Sequence, residues 1–117
     1  MSLTFLQKLR AVSVARARND FKSYDHVDAM YFSNALAGET GEVCNLIKKL
    51  VRRDHGGPDV GNSIRVEDID TAKLSEEVGG VLIYLDLLCS KLGIDLEAAT
   101  TETFNRVSDK LDSIYRL

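Results

Sequence analysis

Two short acidic motifs carry most of the chemistry that this sequence offers: Glu39-Thr40-Gly41-Glu42, and further on Glu76-Glu77. With 100° per residue, Phe32, Leu36, Val43 and Leu50 lie within about 40° of one another on a helix. Glu39 falls on that arc, three residues after Leu36 and four before Val43, and Glu42 sits on its flank. Burying an unpaired carboxylate costs on the order of several kcal/mol, so arginine, lysine or a metal must compensate. A second helix repeats the pattern, with Glu77 between Leu74 and Val81 at the edge of an apolar stripe and Glu76 farther round. Two antiparallel helices packed through these stripes would gather Glu39, Glu42 and Glu77. Three convergent carboxylates make an oxygen-ligand site suited to Mg²⁺ or Mn²⁺. The alternative is a solvated face whose acids are answered by nearby lysines, and periodicity alone does not separate the two.

The elements that must hold these acids are helices. Helical spacing is continuous over about 4–19, where Phe5, Leu9 and Val12 recur, and over about 28–53. The second stretch ends in Lys48, Lys49, Arg52 and Arg53, basic residues that suit a helix C-terminus. A third stretch covers about 71–92, with Leu74, Val78, Val81, Leu85, Leu88 and Leu92 as its stripe. Gly93 is placed to close it as the C′ residue. Asp95 is then the N-cap of a fourth helix carrying Phe104, Val107, Leu111 and Ile114. Gly56, Gly57, Pro58 and Gly61 mark one long loop, about 54–67. Strand-like alternation is absent. The expected fold is all-α, a four-helix bundle-like single domain over 1–117, completed by oligomerisation because so short a helical chain buries a modest core.

Composition narrows the function further. Apolar residues make up 44% and the net charge is -3, so binding of nucleic acid through a basic face is not expected. An acidic protein that handles anionic nucleotides needs a divalent cation between carboxylate and phosphate. No apolar run approaches a membrane span, and no secretory signal opens the sequence. Cys44 and Cys89 both fall inside helical patterns, which suits packing thiols in a reduced, cytoplasmic setting. Neither His26 nor His55 has the spacing of a zinc pair.

Four segments in order resemble one known family. Leu36-Ala37-Gly38-Glu39-Thr40-Gly41-Glu42-Val43 resembles the first motif of MazG-like nucleotide pyrophosphohydrolases. Leu74-Ser75-Glu76-Glu77-Val78-Gly79-Gly80-Val81-Leu82-Ile83-Tyr84-Leu85 resembles the second, an E-x-x-D followed by an apolar run with a tyrosine. Leu92-Gly93-Ile94-Asp95-Leu96 and Phe104-Asn105-Arg106-Val107-Ser108 resemble the start of the family's fourth helix and its phenylalanine-asparagine segment. The resemblance implies hydrolysis of a nucleoside triphosphate to the monophosphate and pyrophosphate. It implies Mg²⁺, or Mn²⁺, held by Glu39, Glu42 and Glu77, which are also the catalytic acids. Tyr84 and Asn105 would contact substrate, and Lys48 would reach the phosphate tail. A homodimer or homotetramer is implied as well.

The resemblance has gaps. Gly80 stands where the family carries the aspartate of E-x-x-D, one of four expected metal ligands. Gly38 replaces a frequent glutamate, and Thr103 a frequent lysine. Because Gly80 lies one turn after Glu77, a carboxylate there would point at the same cluster, and Gly80→Asp is expected to raise Mg²⁺ affinity. Besides the active hydrolase, two readings therefore stand: a nucleotide- or metal-binding homologue impaired by Gly80, and a plain helical interaction module.

Overall fold

The computed structural model of the chain describes residues 2–54 and 71–117. The expected glycine-rich loop, with His55, falls on residues outside these, apart from Asp54, which ends a helix. Among the described residues there are four α-helices and no strand: α1 (Phe5–Asn19), α2 (Ala29–Asp54), α3 (Thr71–Leu92) and α4 (Leu96–Lys110). The all-α expectation holds. Sequence spacing did not foresee the 3₁₀ turn at Tyr24–His26 between α1 and α2.

The helix ends follow from local chemistry. The Thr4 hydroxyl accepts from the Gln7 amide while the Gln7 side chain accepts from the Thr4 amide, a reciprocal capping box that starts α1. Asp95 caps α4 through the Ala98 amide at 3.0 Å. Gly93, at φ 67°, supplies the left-handed residue that ends α3. The apolar residues of the fourth stretch outrun their helix, since α4 stops at Lys110 and Ile114 lies beyond it.

The chain divides into two compact units, one of residues 1–29 and 86–117 and one of residues 30–85. In the first, α1 packs against the 3₁₀ turn and α4, and the core contains Ala17, Tyr24, Leu87 and Cys89. Its centre is charged. Asp86 is 1% exposed, and Arg10 grips it with Nε and Nη2, each at 3.0 Å. The same Nη2 donates to the Ile94 carbonyl at 2.9 Å. Around this pair, the Tyr24 ring lies beneath the Arg18 guanidinium and the Lys91 ammonium, and its hydroxyl meets Ser90 at 2.9 Å.

This corrects the stripe expected on the third helix. Leu92 is exposed, and the buried residues are Asp86, Leu87 and Cys89. Arg10 is the physical reason: a bidentate guanidinium neutralises the acid and lets that face turn inward. The stripe of α4 is also uncovered, with Phe104, Val107 and Leu111 exposed. In the second unit, Phe32 of α2 is buried at 3% exposure, with Leu36, Val43 and Leu46 half-buried farther along the helix.

Candidate active site

The site lies in the second unit, between α2 and the first part of α3. Glu39 is half-buried on α2, on the same side as Leu36 and Val43, as its spacing requires. Glu77 is half-buried on α3. Their carboxyls lie within hydrogen-bonding reach of each other, and this contact pushes the Glu77 pKa above its ordinary value. Partial burial and the negative charge of Glu39 add to the rise, while Lys73, one turn back on α3, opposes it. Two carboxylates this close cannot both ionise without cost unless a proton or a cation sits between them.

The approach depends on Gly80. Its backbone faces Glu39 so closely that a Cβ would stand 2.7 Å from Oε2 and 2.9 Å from Cδ of Glu39. The volume expected to be missing an acid is therefore filled by the Glu39 carboxylate.

The remaining expected residues are less gathered. Glu42 is exposed, one turn after Glu39. Among the described residues, no group of three or more His, Cys, Asp and Glu side chains stands close enough to hold a metal ion. Tyr84 is half-buried one turn after Gly80 on α3. Lys48 is exposed, two and a half turns beyond Glu39, or roughly 13 Å along the axis of α2. The side chains of Lys49, Arg52 and Arg53 lie outside the described residues. Asn105 belongs to the other unit, where its amide nitrogen donates to the Leu117 carbonyl at 3.1 Å and its carbonyl accepts from the Leu117 amide at 2.9 Å. Cys89 is buried as expected, and burial raises its thiol pKa. Cys44 is exposed, which corrects its expected packing role; it sits about 100° round from Val43 and so off the apolar stripe.

The donor set can be tested against a divalent cation. Mg²⁺ is commonly held by one or two carboxylates, with waters and substrate phosphates completing its shell. Glu39 and Glu77 supply two such oxygen donors from different helices, and their mutual contact raises the proton affinity of Glu77. A divalent cation would relieve the same repulsion. The residues present fit the ion.

Comparison with known proteins gives the family of the chain. The sequence pattern of the MazG nucleotide pyrophosphohydrolase domain matches residues 29–114, and the chain belongs to that family. It is 30% identical over 82 residues to the gene 37 protein of Mycobacterium phage L5. That match takes in 70% of this chain and 65% of the phage protein, just under two thirds of the relative's length. No solved structure matches the chain.

Proposed function

We propose that this protein hydrolyses nucleoside triphosphates to the monophosphate and pyrophosphate, in nucleotide house-cleaning or pool control. The observation that carries the reading is the apposition of Glu39 and Glu77 from two helices, inside the segment that matches the family. Glu39, Glu42 and Glu77 would hold Mg²⁺, with Mn²⁺ as an alternative ion. Bound there, the ion would supply charge neutralisation at the phosphates and a more acidic attacking water.

The chain's own residues do the rest. Glu39 and Glu77, already in contact across two helices, would present their carboxylates to one ligand together. Glu42, exposed beside them, is free to turn toward the same ligand. Tyr84, half-buried one turn after Gly80, would orient a substrate oxygen, and Lys48 would meet the far end of the triphosphate. Asn105, in the other unit, is a proposed substrate contact by its motif alone, and its side chain is bonded to the Leu117 backbone.

Four features bear on partners and location. Phe104, Val107, Leu111 and Tyr115 are exposed along an apolar groove of about 790 Å³, an uncovered face that suits a homodimer or homotetramer. Among the described residues, no helix is long and apolar enough to cross a membrane. With the two free thiols, this supports a cytoplasmic place without membrane attachment. The net charge of -3 supports a nucleotide substrate over nucleic acid.

Release of pyrophosphate from a panel of nucleoside triphosphates, with Mg²⁺ and with Mn²⁺, tests the proposal. Metal-dependent release from at least one triphosphate supports it. The second reading, an impaired homologue that binds nucleotide or metal without turnover, rests on Gly80 in place of the acid. Binding without release would favour it.

A further inference from the structure

The two described helices of the site contain four glycines away from their ends, and three face open space. A Cβ on Gly38, Gly41 or Gly79 would meet nothing within 4 Å. Gly80 differs. A Cβ there would meet Oε2 of Glu39 at 2.7 Å, Cδ at 2.9 Å and Cγ at 3.4 Å. All three atoms belong to one flexible side chain, so the backbone of neither helix would need to move. Glu39 would. Glycine inside a helix is disfavoured against alanine, so two in succession call for a reason, and only the second has a neighbour that supplies one.

We propose that Gly80 is a positioning residue: by lacking a side chain it leaves the space in which the Glu39 carboxylate reaches Glu77, so that these two acids form the ligand pair for one divalent ion. The inference rests on the metal reading given under Proposed function. An acid at position 80 and Glu39 in its present pose exclude each other. The family's aspartate is therefore not simply lost from this chain, because Glu39 occupies its volume and brings a carboxylate to the same place. Gly80→Asp does not add a ligand to an otherwise unchanged site; it exchanges one carboxylate for another.

The decisive variant is Gly80→Ala, with Gly79→Ala as its control. Both improve helix propensity, and only the first crowds Glu39. Two readouts are compared with wild type: the Glu39 side-chain rotamer in metal-free protein, from NMR scalar couplings, and Mn²⁺ affinity, from the electron paramagnetic resonance of free Mn²⁺. Gly80→Ala is expected to change the rotamer and to weaken Mn²⁺ binding roughly tenfold or more, while Gly79→Ala changes neither. If Gly80→Ala does not fold, Glu39→Ala/Gly80→Ala decides: recovery of folding supports the inference, and failure of the double variant overturns it by placing the crowding elsewhere. An unshifted rotamer in folded Gly80→Ala, or unchanged Mn²⁺ affinity, overturns the inference alone if wild type binds Mn²⁺. No Mn²⁺ binding by wild type overturns the metal reading and the ligand half of this inference, while the rotamer still decides whether Gly80 makes the space.

Discussion

Arg10 holds both carboxylate oxygens of Asp86, each at 3.0 Å, in the middle of the first unit. The acid is almost wholly buried, and the pairing raises the Arg10 pKa above its ordinary value. Removing one member of a buried pair leaves an uncompensated charge. Arg10→Ala should therefore destabilise the protein by about 3 kcal/mol. Arg10→Lys should recover only part of this, since an ammonium cannot reproduce the two-pronged contact. Arg10→Met/Asp86→Leu should lie closer to wild type than either single variant. Urea denaturation checks all of these, and an Arg10→Ala protein as stable as wild type would show that the pair is dispensable.

A second expectation concerns pH. Glu77 titrates above its ordinary 4.5 because of Glu39, so the folded state binds this proton more tightly than the unfolded state does. The resulting stability is fully present below 4.5 and is lost as pH rises through the raised value. Asp25 works in the opposite sense. Arg18 lowers its pKa below 3.8, so its contribution is present above 3.8 and is lost as pH falls through the lowered value. Metal-free melting temperature should thus decline on the upper side of 4.5, and Glu77→Gln should remove that decline. A Glu77→Gln profile parallel to wild type through this window would contradict the carboxyl contact.

Ser13 offers a stability gain. Its hydroxyl is buried and has no hydrogen-bond partner among the described residues. An unpaired buried hydroxyl is costly, and alanine is the better helix former. Ser13→Ala should raise stability by about 1 kcal/mol, visible as a higher urea midpoint at unchanged slope. A loss of similar size would mean that the hydroxyl has a partner after all.

The sequence showed different parts of this molecule with different clarity. Helix ends were legible because their signals are local: the Asp95 cap and the positive φ of Gly93 involve only near neighbours. Glu39 and Glu77 were legible because they interrupt apolar stripes. Asp86 was not, although it lies on the same helix as Glu77. Its partner is 76 residues away, and nothing in the local pattern distinguishes an acid answered by a distant arginine from a solvated one. Gly80 was visible as a gap in a motif, but the carboxylate that fills the space comes from another helix. Asn105 was marked by its motif as a substrate contact. That its amide would grip the Leu117 backbone depends on how the chain turns after Lys110, which helical periodicity does not address.

Under the function proposed above, Glu39 and Glu77 together support metal-dependent cleavage between the α- and β-phosphates of a nucleoside triphosphate. The most direct measurement is ³¹P NMR of the products from wild type, Glu39→Gln and Glu77→Gln with saturating Mg²⁺ or Mn²⁺. Wild type should yield the monophosphate and pyrophosphate in equal amounts, and each variant should be slower by roughly a hundredfold or more. Release of orthophosphate and a diphosphate, or variants as fast as wild type, would contradict it.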